Sequence, residues 1–173
     1  MKKLTLIFLL VLFSLISTFG QEFKRPSEGK SLVYFVRFSG VGALINFRYF
    51  DGNQSLGKAN GVNYIEYECD PGEHLFWASA ENRDFIKGNL KANATYVVEV
   101  RPTMGATRAR VKLFPVAPTD DKALKKIKKL IAKKPPTELK KDDEDMAIFI
   151  KNGLQRYEKT QDKIQMINSN WTH

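Results

Sequence analysis

The chain has 173 residues, a formal net charge of +9 and a single cysteine. This length suits one domain with an appendage, and one cysteine excludes a scaffold held together by internal disulfides. The positive charge is compatible with anionic partners such as phospholipid, lipopolysaccharide or acidic glycans, although a moderate net charge also serves simply to keep a protein in solution.

The N-terminal residues have the pattern of a secretory signal peptide. Lys2 and Lys3 precede an apolar run over 4–16, and small residues follow as far as Gly20. This pattern predicts a signal peptide over 1–20 that is cleaved, and therefore a periplasmic or secreted protein. A lipoprotein would need its cysteine at the cleavage point, whereas the cysteine of this chain is Cys69. We therefore expect an exported protein that is not lipid-anchored.

Short β-strands are predicted for the first half of the remaining chain. Residues 21–30 are polar and predict a flexible lead. Beyond them, aromatic and β-branched runs alternate with turns that contain glycine, asparagine, aspartate or proline. The runs lie at 31–38, 45–50, 63–69, 74–80, 95–101 and 108–114. Their spacing, without helical segments between them, predicts an antiparallel β-sandwich of roughly seven or eight strands over 31–117.

After Val116 the apolar period becomes helical, which predicts a helical C-terminal extension over 118–173. A first helix is expected to begin at 118–121 and to end before Pro135. A second is expected to begin near Thr137 or Asp142, and the residues after it are expected to fray. The apolar stripes of the two helices consist of Leu124, Ile127, Leu130 and Ile131, and of Met146, Ile150, Leu154 and Tyr157.

Four stretches of the predicted sandwich carry a resemblance to known proteins. They are the strand 31–37, the hairpin containing Asp51-Gly52, Leu56-Gly57-Lys58 and Asn60-Gly61, the turn Pro71-Gly72-Glu73-His74, and the strand 90–98, in which Asn93 replaces the usual glycine. In these stretches, segment 30–116 resembles a family of small bacterial envelope proteins of unknown function, often lipoproteins, and PEGA-like β-sandwich modules. The resemblance implies a fold and an envelope location, but no catalysis, because the four stretches carry turn and strand signals and no catalytic motif.

The stretch CDPGEHLFW, residues 69–77, brings potential metal ligands together. A zinc site needs three or four converging ligands, and here Cys69 and His74 are the soft ones. The other histidine, His173, is the last residue of the sequence. We therefore predict no metal, no cofactor and no catalytic residue.

The same stretch predicts a turn. In a two-residue hairpin around Pro71-Gly72, Cys69 would lie beside His74, with Tyr67 opposite Phe76. Pro-Gly does not suit the primed turns that such hairpins prefer, so a longer loop or an arch between two sheets is the alternative. In either arrangement Cys69 shares a face with apolar neighbours and is expected to be a core thiol.

Two aromatic residues, Tyr64 and Trp77, occupy positions that face outward in this register. An exposed tryptophan beside Glu66 could stack on a sugar ring. The alternative, which we prefer, is that the C-terminal helices cover these aromatic rings.

The first predicted helix is rich in lysine and is a candidate for contact with an anionic surface. The alternative, which we favour, is a helix that packs on the sandwich and leaves a solvated lysine face. The lysines are Lys122, Lys125, Lys126, Lys128, Lys129, Lys133 and Lys134.

The sequence therefore predicts an exported, non-enzymatic binding or structural module of the cell envelope, whose partner is an unknown envelope protein or glycan. A peripheral binder of an anionic membrane or glycan, acting through the lysine-rich helix, is the alternative. A hydrolase is a third hypothesis, and the export signal argues against a nucleic-acid partner.

Overall fold

The computed structural model describes residues 23–104 and 109–173, and the predicted signal peptide over 1–20 lies outside them. The helices are α1 (Asp121–Ile131) and α2 (Ala147–Glu158), and a 3₁₀ turn (Gln161–Lys163) follows α2. The strands are β1 (Ser31–Arg37), β2 (Phe47–Asp51), β3 (Gln54–Ala59), β4 (Asn63–Cys69), β5 (Gly72–Ser79), β6 (Arg83–Leu90), β7 (Ala94–Met104), β8 (Ala109–Pro115) and β9 (Gln165–Ile167).

The strands form two sheets, in the orders β4-β1-β7-β8 and β3-β2-β5-β6-β9. Apolar side chains of both sheets, such as Val33, Phe35, Phe76 and Ile86, form one buried cluster. Most neighbouring strands are antiparallel, but β1 lies parallel to β7 and β6 lies parallel to β9. The prediction of a mainly-β, sandwich-like fold followed by two helices is confirmed, and these two parallel pairs are its exceptions.

Each sheet carries a helix on its outer face. Ile127 and Leu130 of α1 belong to a buried cluster with Tyr34 of the first sheet. On the second sheet, α2 packs over Phe50 and Trp77. Both helices therefore belong to the packed structure, because α1 buries an apolar stripe and α2 packs the partly buried side chains of Phe149, Ile150 and Tyr157 against the second sheet.

The first described residues and the last residue of the sequence are bonded to the first sheet. The backbone N–H of Lys24 donates to the hydroxyl of Tyr34 at 3.1 Å, so the described part of the predicted flexible lead is anchored. The N–H of His173 donates to the carbonyl of Thr95 at 3.0 Å, and its ring lies edge-on to Phe23. Burial lowers the pKa of His173. The expected fraying of the last residues is wrong, because β9 and the final residues pair with strands distant in sequence.

The second helix begins later than predicted, at Ala147. Residues 135–146, which we call the strap, are extended between the helices and pair with Lys58 through Lys140. Three of the four acidic residues at 142–145 bind basic side chains of the second sheet, while Asp145 accepts a hydrogen bond from the N–H of Ala147 at the start of α2. Asp142, only 3% exposed, accepts hydrogen bonds from Arg48 at 2.9 Å and from Ser55 at 3.0 Å.

Candidate functional site

The stretch 69–77 crosses from one sheet to the other. β4 pairs with β1, whereas β5 pairs with β2 and β6, so the turn around Pro71 is an arch and the two-residue hairpin is wrong. Tyr67 and Phe76 still meet, with ring centroids 6.1 Å apart, but each belongs to a different sheet.

His74 lies in a small polar cluster at this arch. Its Nδ1 is 2.7 Å from the carboxylate of Asp51, and its Nε2 is 2.8 Å from the carbonyl of Asp70. The hydroxyl of Tyr67 donates to the same Asp51 oxygen at 3.1 Å. The cluster therefore ties the β2–β3 hairpin to the arch, and the imidazole bonds to these two aspartates and not to Cys69.

Cys69 is buried at the end of β4. Burial, with a smaller contribution from the negative charges of Asp51 and Asp70, raises the pKa of its thiol to about 12. A thiol in this setting is a poor nucleophile, because the thiolate is the reactive form. Across 23–104 and 109–173, no three histidine, cysteine or carboxylate side chains are grouped so that they could hold a metal ion.

Cys69 is expected to react slowly with a thiol reagent. At pH 8 the folded protein should be labelled by a disulfide-exchange reagent at least about 100-fold more slowly than the urea-unfolded protein, since burial suppresses the thiolate. Because the chain has one cysteine, the released chromophore reports this site alone. Equal rates in the folded and unfolded states would contradict the burial of Cys69.

The two aromatic residues proposed for an outward face are both covered. Trp77 stacks on Phe50 with ring centroids 3.7 Å apart, and α2 closes over it at Gly153. Tyr64 donates its hydroxyl to the carbonyl of Lys134 at 3.1 Å. The preferred interpretation, that the C-terminal helices cover these rings, is confirmed. Neither ring is exposed, so neither can stack on a sugar.

The seven lysines predicted for the first helix are all exposed, but α1 ends at Ile131, so Lys133 and Lys134 lie beyond it. Of the predicted apolar stripe, Ile127, Leu130 and Ile131 are buried and Leu124 is partly buried. The lysines do not converge on one point. The ammonium group of Lys126 lies 5.3 Å from the ring of Phe38, just beyond β1, whereas that of Lys128 lies 6.0 Å from Phe23 on the other flank. By helical spacing, Lys122 and Lys129 share the flank of Lys126. Because Phe38 directly follows β1, this flank lies toward the end of the sandwich at which β1 finishes, and β7 runs toward the same end because it is parallel to β1.

At that end, large apolar side chains are exposed. Leu44, in the loop between β1 and β2, is 91% exposed, and Met104, at the end of β7, is 79% exposed. Val41 is also exposed, at 43%. The two segments are adjacent, because a Cβ atom on Gly42 would lie 2.8 Å from the Cβ of Ala109, the residue paired with Met104. We call Val41, Leu44 and Met104 the apolar tip.

A buried arginine holds the loop that carries this tip. Arg37 is fully buried and donates to the carbonyls of Val41 at 3.0 Å, Gly42 at 2.7 Å and Ile45 at 3.1 Å. Its guanidinium also stacks over the ring of Phe47. Burial lowers the pKa of Arg37, so the charged form carries a cost in free energy that these bonds offset. The loop is therefore fixed by the fold, with Leu44 pointing into solvent.

A second surface is a groove of about 880 Å³ along the open side of the sandwich. Consecutive residues of two edge strands, 54–57 of β3 and 65–67 of β4, line it together with the strap. The strap approaches β3 closely at Gly57, where a Cβ atom would lie 2.6 Å from the carbonyl oxygen of Lys140. The φ angle of Gly57 is +120°, so both the space and the backbone conformation require glycine.

The groove is acidic although the protein as a whole is basic. Its described lining residues include one cationic side chain, that of Lys141, and five carboxylates: Glu66, Glu138, Asp142, Glu144 and Asp145. Arg48 pairs with Asp142 and Glu144, and Lys24 pairs with Glu66. Across the described ranges, Glu138 and Asp145 make no ion pair, so they leave negative charge at the mouth of the groove.

Sequence reasoning missed both the apolar tip and the groove. An exposed leucine in a loop can be recognised only when its burial is known, and Leu44 follows a Ser-Gly-Val-Gly stretch that predicts nothing more than a flexible connection. The groove depends on which strands lie at the sheet edges. Arg37 was the one available signal, because it is the only charge in an otherwise apolar run.

The fold defines a β-sandwich-like domain with a helix on each outer face. No protein-family model and no curated protein matches the chain. Among solved structures, it is similar to the NMR structure of a protein from Eubacterium rectale, with 11% identity and a TM-score of 0.29 over 54% of this chain and 94% of that one. No described helix is long and apolar enough to cross a membrane.

Proposed function

We propose that this protein is an exported, non-enzymatic binding module that docks peripherally on an anionic membrane surface. The observation that carries the proposal is the exposed apolar tip at the end of the sandwich toward which the lysine flank of α1 lies. Leu44 is almost fully exposed to solvent, and the loop that carries it is held by hydrogen bonds to the buried Arg37.

The apolar tip supplies the hydrophobic part of such a contact. Apolar side chains that are exposed at the end of a domain enter the boundary between headgroups and acyl chains, and fully burying a leucine or methionine contributes about 1.5–3 kcal/mol. Leu44 lies in the loop between β1 and β2 and Met104 is the last residue of β7, so the two side chains are exposed at one end and would enter the same leaflet together.

The lysine flank supplies the electrostatic part. Lys126 lies over the ring of Phe38, Lys122 lines the same surface depression, and Lys129 shares their flank of α1 by helical spacing. Each cation near an anionic surface contributes about 1 kcal/mol. The buried stripe of α1 contributes nothing to insertion, since it already packs on the first sheet. The helix therefore acts through its lysines and not as a membrane-inserted amphipathic helix, which sharpens the alternative drawn from the sequence.

Co-sedimentation with vesicles tests the proposal. The protein is expected to bind vesicles that contain phosphatidylglycerol, to bind pure phosphatidylcholine vesicles weakly, and to lose affinity as salt rises. Leu44→Asp should weaken binding about tenfold or more, since an inserted apolar group is replaced by a charge. The triple variant Lys122→Glu, Lys126→Glu, Lys129→Glu should abolish it.

The chain offers a matched control. Met166 on β9 is 57% exposed and lies on the far edge of the second sheet, so Met166→Asp should leave vesicle binding unchanged while Met104→Asp weakens it. Binding that is insensitive to salt, or equal losses from the two methionine variants, would count against docking through the loop end.

A further inference from the structure

A free strand edge runs along the groove. The carbonyl of Tyr64 accepts a hydrogen bond from the N–H of Thr137 in the strap at 2.8 Å, so its backbone groups point away from β1. Because strand backbone groups alternate in direction, the N–H and C=O groups of Glu66 and Glu68 point the same way. Among the described residues, β4 pairs with β1 alone, and no backbone group bonds to Glu66 or Glu68 on this side.

The strap already uses the beginning of this edge. It bonds to β4 once, at Tyr64, and then turns to β3, where Lys140 exchanges two backbone hydrogen bonds with Lys58 at 2.8 and 2.9 Å. Beyond Tyr64 the β4 edge is therefore left open, with Glu66 lining the groove and Glu68 continuing the same edge past it. Such an edge is a template for a further strand, because its polar backbone groups have positions for partners.

The geometry points to a site for an extended, lysine- or arginine-rich peptide segment, bound as an added strand against β4 in this groove. Main-chain bonds to Glu66 and Glu68 would supply affinity, and the carboxylates of Glu138 and Asp145 at the mouth would select cationic side chains. This site is independent of membrane docking, since it lies on the open side of the sandwich and uses no residue of the apolar tip.

A second copy of this chain is a less favourable occupant. If two β4 edges paired antiparallel about a two-fold axis, Glu66 and Glu68 of the two copies would come close to each other. Like charges directly opposite in a sheet are destabilising. Charge complementarity therefore favours a cationic peptide over self-association.

The test uses a fluorescent ten-residue peptide of alternating lysine and valine as the probe. Fluorescence polarisation should show binding that weakens with salt. Two N-methylated versions of the probe, methylated at the odd or at the even positions, separate strand addition from simple charge attraction. One version should bind at least about tenfold more weakly, because it lacks the donors that face β4, and the other should bind within about twofold of the parent.

Variants of the protein provide a second test of the peptide site. Glu138→Lys should weaken binding about tenfold, whereas Glu158→Lys, an exposed reversal on α2, is the matched control and should have no effect. Amide hydrogen exchange at Glu66 and Glu68 should slow when the probe is present. Equal binding of the two methylated probes, or unchanged exchange at these amides, would overturn the site. Slow exchange in a concentration-dependent dimer without probe would assign the edge to a second copy instead.

Discussion

Replacing Gly153 by valine is expected to detach α2 from the second sheet and to lower the free energy of unfolding by about 3 kcal/mol. A Cβ atom at this position would lie 2.6 Å from Cη2 of Trp77 and 3.0 Å from Cζ3. The indole cannot move away, because it stacks on Phe50 and its Nε1 donates to the carbonyl of Gly52 at 2.9 Å. Urea unfolding measures the loss.

The direction of the effect separates packing from helix propensity. In an exposed helix, glycine to alanine stabilises by about 1 kcal/mol, whereas here even Gly153→Ala should destabilise. Asn152→Val is the matched control, since it puts the same side chain on the exposed face of α2 and should change stability by less than about 0.5 kcal/mol. A neutral or stabilising Gly153→Ala would show that α2 does not rest on Trp77.

A double-mutant cycle identifies the contact itself. Trp77→Leu removes the ring and should be destabilising alone, because the residue is buried and its hydrogen bond is lost. Combined with Gly153→Ala, it should give a loss smaller than the sum of the two, since the leucine leaves room for the Cβ atom. Strict additivity would mean that the two residues do not meet.

Local sequence patterns predicted the strands and helices whose apolar residues recur with the period of the element itself. The alternation over 63–69 coincides with β4, and the two-sided apolar run at 31–38 contains β1, whose residues are all buried in the middle of its sheet. Periodicity also found α1 and three of the four residues predicted for the stripe of α2, namely Met146, Ile150 and Tyr157, but not the contacts of Phe149 and Gly153. In each case the residues that signal the element are those that pack, so burial and pattern agree.

The remaining features depend on tertiary contacts. Turn chemistry at Pro71-Gly72 predicts a reversal, but a reversal within one sheet and an arch between two sheets use the same local residues. β9 has three residues and exists only because it pairs with β6. The acidic residues 142–145, within the strap, resemble the start of a helix. Asp142 instead binds Arg48, which lies 94 residues away in sequence.

The candidate surfaces follow the same logic. The lysines of α1 were visible because a charged stripe is a local pattern. The apolar tip and the β4 edge could not be predicted in this way. An exposed leucine and an unpaired strand edge can be recognised only when the three-dimensional structure shows that no other residues cover them. Membrane docking and peptide binding are therefore proposals that rest on three-dimensional arrangement and not on motif.

Replacing Arg37 by leucine is expected to release the loop between β1 and β2 and to lower the free energy of unfolding by about 2–4 kcal/mol. The guanidinium supplies donors to three carbonyls, those of Val41, Gly42 and Ile45, and leucine supplies none. Carbonyls that lose a buried donor must either remain unpaired or reach water, and reaching water requires the loop to open. Part of the loss is offset, because leucine removes the cost of burying a charge.

Hydrogen exchange locates the effect within the chain. The amides of Ala43 and Ile45 donate to the carbonyls of Gly40 and Gly42 within this loop, so their protection should fall much further than that of β7 amides. Arg110→Leu, a solvent-exposed change on β8, should leave both stability and exchange unaltered. If Arg37→Leu unfolds like the parent and keeps the loop amides protected, then Arg37 does not hold the apolar tip. If the loop opens while the sandwich persists, vesicle binding should weaken with it, because Leu44 then no longer has a fixed outward position.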